Sequence, residues 1–374
     1  MNGWTVRCRQ DVTYRINAVV DVFSPANEAL AEAADVADGK RYLVVVDRTV
    51  DSLYGDRIDR YFGARGARTV KYTLGPGERV KTADSLLDIA RTADQAGIRR
   101  RCEPIIAVGG GVVTDLAGMA ASLYRRGTPF IRVPTTLVGL VDAAIGAKTA
   151  INHNGHKNRL GTYFPAAHTL LDPTFLRTLP ARHVRNGMAE IVKIAVMKDA
   201  TLFALLEADS ADLVESRIAT AHGTEIIERS VTAMLGELEA NLWEHELRRV
   251  ADFGHTFSPQ LEMCAGDLLH GEAVAIDMAL CCAIAHLRGL LSDDALRRVF
   301  ALLQGLGLPT EHEACTSRML LGALADTVRH RDGHQHLPLP TGIGSAVFVE
   351  DVTPAEIAAA RDTVRRLQPI AANR

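Results

Sequence analysis

Apolar positions along the chain fall into two textures. In the first half, short unbroken apolar runs alternate with stretches of helical spacing; the runs are RYLVVVD at 41–47, PIIAVGGGVVTD at 104–115 and PFIRVPTT at 129–136. Runs of this length, closed by turn residues, predict strands buried on both faces. Strands alternating with helices predict a parallel sheet, with ligands at the strands' carboxyl ends. Past about Pro180 the strand signals thin out, and 185–208, 211–243 and 269–289 carry helix formers at helical spacing. TLPARH interrupts the pattern and sets a boundary near 180, giving an α/β domain over 1–180 and a mainly helical one over 181–374. Strands return near 336–349, although the prolines of HLPLP count against them. There is no internal repeat, low-complexity tract or heptad series.

Composition narrows the function classes. At 374 residues, 47% of them apolar, the chain is long enough for two domains sharing one cleft. A formal net charge of −3 argues against nucleic acid as the main partner and leaves room for a local basic pocket for one phosphate. The six cysteines show no CxxC spacing and read as buried or incidental thiols of a reducing compartment. The opening MNGWTVRCRQDVTYRI lacks a signal-peptide layout, and no uninterrupted apolar stretch reaches bilayer length. A soluble, cytoplasmic protein without a membrane partner is expected.

Candidate chemistry gathers at two places. Gly109, Gly110 and Gly111 follow an apolar strand and open a helical pattern. Glycine there lets a pyrophosphate approach the backbone N–H groups of a helix N-terminus. The triplet is not a GxGxxG fingerprint, and a tight turn without a ligand is an equal alternative. Asp47 at one strand end and Thr135-Thr136 at another favour a nucleotide, though not one in particular. In GMAEIVKIAVMKD, Glu190 and Lys193 share a helix face among apolar neighbours, so the pair faces an interior or a cleft rather than solvent. With His255 in DFGHTFSP and His270 in LLHGEAVAIDM, Glu190 completes a donor set suited to Zn²⁺ that leaves coordination positions open. Arg126, Lys148, Lys157, Asn158 and Arg248 are donors beside glycine-containing segments. KTAINHNGHKNRLG gathers several in one loop-like stretch, as a phosphate or polyol would require.

With these residues in place, the chain resembles the dehydroquinate synthase-like sugar phosphate cyclases from about Asp47 to about Gly344. The ordered motifs are GERVK, GGGVVTDLAG, RRGTPFIRVPTTL, VDAAIGAK, KNRLGTYFP, LDPTFLRTLP, NGMAEIVK, DFGHTFSP and LHGEAVAIDM. The resemblance implies an α/β NAD-binding domain, an all-α metal-binding domain and a homodimer. It implies that Glu190, His255 and His270 hold Zn²⁺ or Co²⁺. NAD is expected at Asp47, Glu78, Lys81, Gly110, Gly111, Val112, Asp115, Thr135, Thr136, Asp142, Lys157, Phe175, Thr178 and Asn186. Substrate is expected at Arg126, Asp142, Lys148, Asn158, Lys193, Arg248, Asp252 and His330, with Lys148, Lys193, Glu244 and Asp142 carrying the chemistry.

Departures from the family pattern set the expected substrate. Met234 stands where dehydroquinate synthases have a lysine, Asp252 where they have an asparagine, and Pro259 where they have a histidine. Losing a cation at Met234 and gaining an anion at Asp252 is expected to make the pocket hostile to a carboxylate, by lost pairing and by repulsion. ELEANLWEHELRRVADFGHTFSP looks most like members that cyclise sedoheptulose 7-phosphate to 2-epi-5-epi-valiolone in C7-cyclitol pathways. The implied course is transient oxidation by NAD, phosphate elimination, re-reduction and intramolecular aldol closure. The alternatives are cyclases making 2-epi-valiolone, desmethyl-4-deoxygadusol, 2-deoxy-scyllo-inosose or 3-dehydroquinate, and a metal-dependent polyol dehydrogenase.

Overall fold

A computed structural model of the chain describes residues 3–368. The three apolar runs are strands of one parallel sheet. It comprises β1 (Arg15–Ala18), β2 (Arg41–Asp47), β3 (Arg68–Leu74), β4 (Ile105–Gly109), β5 (Phe130–Pro134) and, after a hairpin of β6 (Lys148–His153) and β7 (His156–Tyr163), β8 (His168–Leu171). The strand order is β1-β8-β5-β4-β2-β3. Helices α1 (Ala29–Ala34) and α2 (Arg48–Gly63) cover one face, while α3 (Ala83–Ala96) and α4 (Gly111–Leu123) cover the other. Leu43, Val45, Ile105 and Ala107 point towards α3 and α4; Tyr42, Val44, Val46, Ile106 and Val108 point towards α2, against Ile58, Tyr61 and Phe62. Burial on both faces explains runs without polar alternation. Each large side chain gains about 1.5–3 kcal/mol by leaving water. Strand β2 has β3 on one side and β4 on the other, so the winding reverses there and opens a crevice at their carboxyl ends. Asp47 and the glycine triplet sit at that crevice.

The donor-rich stretch expected as a loop is instead the β6–β7 hairpin. Its two-residue turn is Asn154 (φ 49°) and Gly155 (φ 73°), both left-handed, as tight hairpins require. The hairpin packs against α4, which fixes the side chains that a free loop would scatter.

Beyond Pro180 come α5 (Ala181–Lys198), α6 (Ala200–Leu213), α7 (Gly223–Asn241), α8 (Ser258–Ala265), α9 (His270–Leu287), α10 (Asp293–Gly305), α11 (Ser317–His330) and α12 (Pro354–Arg366). Two of the expected helical stretches are broken. Asp199 ends α5, accepts from the Leu202 N–H at 2.9 Å to cap α6, and pairs with Arg229 at 3.0 Å. The stretch from 211 breaks where Arg217 and Ile218 turn left-handed, with the Ile218 N–H donating to the Leu213 carbonyl at 2.8 Å. Buried Leu213, Val214 and Ile218 hold that turn against the core. Helix α9 lies at the centre, buried from Gly271 to Ala285. By length and composition it could cross a bilayer, which qualifies the expectation that no stretch could; 78% of it is packed inside the protein. The helical core also recruits Leu137, Leu140, Val141, Ile145 and Leu171 from the sheet half, so the halves share apolar packing. Among the described residues, the departure from an all-α second half is a hairpin, β9 (Leu337–Gly342) with β10 (Ser345–Val349). Pro338 and Pro340 fit because β9 pairs only with β10 among the described residues.

Candidate active site

Glu190 and Lys193 lie one turn apart on α5, and both are buried, with 1% and 2% of their surface exposed. Such a pair is no solvated ion pair. Lys193 Nζ sits 2.5 Å from Glu190 Oε2 and 2.9 Å from Asp142 Oδ2, the latter on the π-helical turn Gly139–Ala143. His255 follows the 3-10 turn Val250–Asp252, its Nδ1 3.1 Å from the Phe253 carbonyl. Buried Asp277 of α9 anchors this segment by accepting from the Phe257 and Ser258 N–H groups at 2.5 and 2.8 Å. His270 is the first residue of α9. The next residue must be glycine: a Cβ on Gly271 would fall 2.0 Å from the Asn186 carbonyl oxygen. The Asn186 side chain accepts the Gly271 N–H, pinning the end of α9 to α5 one turn before Glu190.

The result is convergence. His270 Nε2 lies 3.2 Å from Glu190 Oε1, the two imidazole centroids are 5.3 Å apart, and one ligand atom from each of the three residues lies within 4.8 Å of the others. Both Glu190 oxygens are buried and lack a hydrogen bond of good geometry among the described residues, although Lys193 and His270 are close. A buried carboxylate so placed beside two imidazoles fits a divalent cation with open coordination positions. Burial, then the Lys193 charge, pushes His255 down to about 3, leaving the neutral imidazole that ligates metals. Burial opposes charge on His270 as well, but Glu190 and Glu262 outweigh it and raise the imidazole to about 9. Burial and the neighbouring Glu190 raise Asp142 against the pull of Lys193.

Expected nucleotide contacts line one edge of the sheet. Asp47 ends β2 and caps α2 through Oδ1, accepting from Thr49 N at 2.7 Å. Gly110, Gly111, Val112 and Asp115 open α4; Thr135 and Thr136 follow β5; Phe175 and Thr178 lie on the 3-10 turn Pro173–Thr178 after β8. Lys81 closes the turn Glu78–Val80 and reaches Asp115 and Asn158, each at 2.5 Å. Lys157 spans to the metal side, 2.6 Å from Glu262 and 3.8 Å from Glu78.

Opposite the cluster, Lys148 and Arg249 both pair with Glu244, whose second oxygen accepts from Tyr163 OH at 3.1 Å. Asp252 is gripped by Arg249 and by Arg331, the latter at 3.0 Å. That corrects the expected repulsion: burial alone would raise Asp252, but two guanidinium groups hold it ionised and neutralise it, so Asp252 does not present a bare anion. Met234 is buried in the helical core, and Pro259 occupies the first turn of α8, where proline costs no helical hydrogen bond. His330 ends α11 near Asp252 and Lys148, with burial lowering its basicity. Two expected substrate residues are not brought in. Arg126 lies beyond the far end of α4, about 20 Å along that helix from Gly111. Arg248 points outward to Glu350 at 3.5 Å and to His336 at 3.4 Å, because on this irregular segment Arg249 takes the inward direction.

Sequence reasoning missed Glu262, Arg249, Arg331 and Asp277. Arg249 had a signal in its adjacency to Arg248, and Arg331 in its adjacency to His330; Glu262 and Asp277 are isolated charges among mostly apolar residues, and only the fold shows where they point.

Comparison with known proteins matches this geometry. The family described as 3-dehydroquinate synthase N-terminal matches residues 71–186, and 3-dehydroquinate synthase C-terminal matches residues 187–329. A 2-epi-5-epi-valiolone synthase of Streptomyces hygroscopicus subsp. jinggangensis is 50% identical over 366 residues, covering 96% of this chain and 88% of that protein. One from Actinoplanes sp. is 52% identical over 374 residues, covering 98% and 94%. The solved structure of ValA (2-epi-5-epi-valiolone synthase) from the same Streptomyces, with NAD⁺ and Zn²⁺ bound, superposes with a TM-score of 0.94 at 49% identity, covering 98% of this chain and 100% of that one. Matched in both halves and at half identity along nearly its whole length, the chain belongs to the 3-dehydroquinate synthase family.

Proposed function

We propose that this chain is a sugar phosphate cyclase that converts sedoheptulose 7-phosphate to 2-epi-5-epi-valiolone with release of phosphate. The observation that carries the reading is the convergence of Glu190, His255 and His270 around one point beside Lys193. The substrate assignment is supported by the valiolone synthases that are half identical to it. Glu190, His255 and His270 would hold zinc or cobalt, and the edge from Asp47 to Thr178 would hold NAD. When bound, the metal supplies a Lewis acid for a substrate hydroxyl, and the dinucleotide a reversible hydride acceptor. Burial works against charge on Lys193, but Asp142 and Glu190 keep it a cation, fit to stabilise a developing oxyanion. Lys148, more than half exposed in the cleft, can meet a phosphate. Glu244, held between Lys148, Arg249 and Tyr163, can accept or return a proton there. No imidazole stands at Pro259, and the substrate's own phosphate can serve as the base of the elimination step in its place. The family resemblance supports a cytoplasmic homodimer divided near residue 180 and acting in C7-cyclitol synthesis.

Incubating the protein with sedoheptulose 7-phosphate, NAD⁺ and Zn²⁺ should release phosphate in step with a cyclitol seen by NMR, without net NADH accumulation. A steady rise in NADH absorbance without phosphate release would instead identify a dehydrogenase. Met234→Lys with Asp252→Asn should tighten a carboxylate-bearing substrate analogue about tenfold, because loss of the Asp252 charge would free Arg331, and Arg249 in part since Glu244 still pairs with it, while the lysine restores a cation. Unchanged inhibition constants would remove this pocket from the specificity argument.

A further inference from the structure

Glu262 belongs to neither the metal ligands nor the expected nucleotide contacts, yet it is joined to both. Its Oε2 lies 3.2 Å from His270 Nδ1, while the other imidazole nitrogen, Nε2, faces Glu190 at 3.2 Å. A carboxylate on Nδ1 fixes the proton there and leaves the Nε2 lone pair for a metal. The Oε1 of Glu262 lies 2.6 Å from Lys157 Nζ on β7. From Lys157 the polar chain continues across one longer ionic contact. Lys157 Nζ is 3.8 Å from Glu78 Oε1, which accepts from Asn152 Nδ2 at 2.9 Å. Asn152 Oδ1 accepts from the Asn158 N–H at 2.9 Å. Asn158 Oδ1 accepts from Lys81 Nζ at 2.5 Å, and Lys81 pairs with Asp115 at 2.5 Å on the first turns of α4. A run of charged and amide groups, hydrogen-bonded or ion-paired throughout except for the longer Lys157–Glu78 contact, therefore links His270 to the glycine turn at the sheet edge. Most members are at least partly buried; Glu262, Lys157 and Lys81 side chains are only 13%, 15% and 5% exposed. Partial burial strengthens such pairs and penalises any member left unpaired.

We propose that Glu262 is a positioning residue that couples metal binding to dinucleotide binding: by orienting His270 and anchoring Lys157, it makes the metal-loaded protein bind NAD⁺ more tightly than the metal-free protein. The proposal rests on the metal and nucleotide reading given above. A metal held by His270 immobilises Glu262, and through Lys157 it orders the β6–β7 hairpin and the turn bearing Glu78 and Lys81. The dinucleotide then meets an edge already in place and does not bear its ordering entropy. The coupling is reciprocal, so NAD⁺ tightens zinc by the same factor.

The test uses the full chain and titration calorimetry with zinc alone, NAD⁺ alone, and NAD⁺ at saturating zinc. In the unaltered protein, saturating zinc should tighten NAD⁺ about tenfold. Glu262→Gln should weaken zinc about 10–100-fold and bring the NAD⁺ ratio to near one. Lys157→Met keeps the Glu262–His270 pair, so zinc affinity should stay within about threefold while the ratio again falls to near one. The ratio, not the absolute affinity, is the readout, since Lys157 is itself an expected NAD⁺ contact; should Glu262→Gln fail to fold, Lys157→Met carries the test. An unaltered protein that binds both ligands without coupling, or variants that retain the coupling, would overturn the proposal and leave the cyclase reading standing. Failure of the unaltered protein to bind zinc or NAD⁺ would overturn both.

Discussion

His255→Ala should strip the protein of zinc and lower turnover by more than about a thousandfold while the fold survives. A Lewis acid at the reacting hydroxyl contributes several kcal/mol of transition-state stabilisation, and about 4 kcal/mol is a thousandfold in rate. The ligand set has little redundancy: Glu190 and His270 remain, but two donors make a poor site for zinc. Survival of the fold follows from what His255 touches. Among the described residues its side chain's hydrogen-bond contact is with the Phe253 carbonyl, and its backbone N–H, which alanine keeps, donates to the Asp252 carbonyl at 3.0 Å; Phe253 and Phe257 stay buried and Asp277 still accepts from the Phe257 and Ser258 N–H groups. Metal analysis by mass spectrometry, with circular dichroism as the check on folding, decides it. A metal-free His255→Ala protein with full activity would overturn the ligand assignment.

The parts of this site that were legible are those in which one residue type at one spacing has one use. Unbroken apolar runs such as RYLVVVD mark strands covered on both faces, and those strands carry Asp47 and the glycine turn to one edge. Glu190, His255 and His270 are legible as a donor set, and the fold closes 80 residues of sequence between Glu190 and His270 to 3.2 Å. The β6–β7 hairpin was legible in principle: Asn154-Gly155 is a strong hairpin signal, masked because its flanks, Asn152-His153 and His156-Lys157, are polar rather than alternating with apolar residues. What could not be read is the compensation of charge. Asp252 looks like an isolated anion in the sequence, yet Arg331, distant in the chain, neutralises it together with Arg249. Arg248 and Arg249 are chemically equivalent, and only the irregular backbone before His255 decides which turns inward. Glu262 is in the same position, since its two contacts come from α9 and β7.

Lys193→Met should destabilise the metal-free protein by about 3–5 kcal/mol near neutral pH, the usual penalty for removing one member of a buried ionic cluster. The lysine is 2% exposed and lies between Glu190 at 2.5 Å and Asp142 at 2.9 Å. Methionine fills much of the same volume, so the loss is electrostatic: buried Glu190 and partly exposed Asp142 face each other with no lysine between them. The pH dependence has a definite sign. In the unaltered protein burial would raise Glu190, but Lys193 and His270 hold it well below its ordinary value. Its contribution is therefore present above the unfolded carboxylate pKa and is lost as pH falls through the folded one. Without Lys193 that depression shrinks and Asp142 loses its counter-charge, so the variant takes up protons at a higher pH than the unaltered protein. The stability gap should be full near pH 8 and narrow by about 1–2 kcal/mol on acidification to about pH 5. Zinc supplies the missing positive charge beside Glu190 and should also narrow it, though turnover stays low because the cation that meets the oxyanion is gone. Urea denaturation at both pH values, with and without zinc, reads these effects directly. A gap that neither acid nor zinc narrows would show that Lys193 is held by packing and not by the two carboxylates.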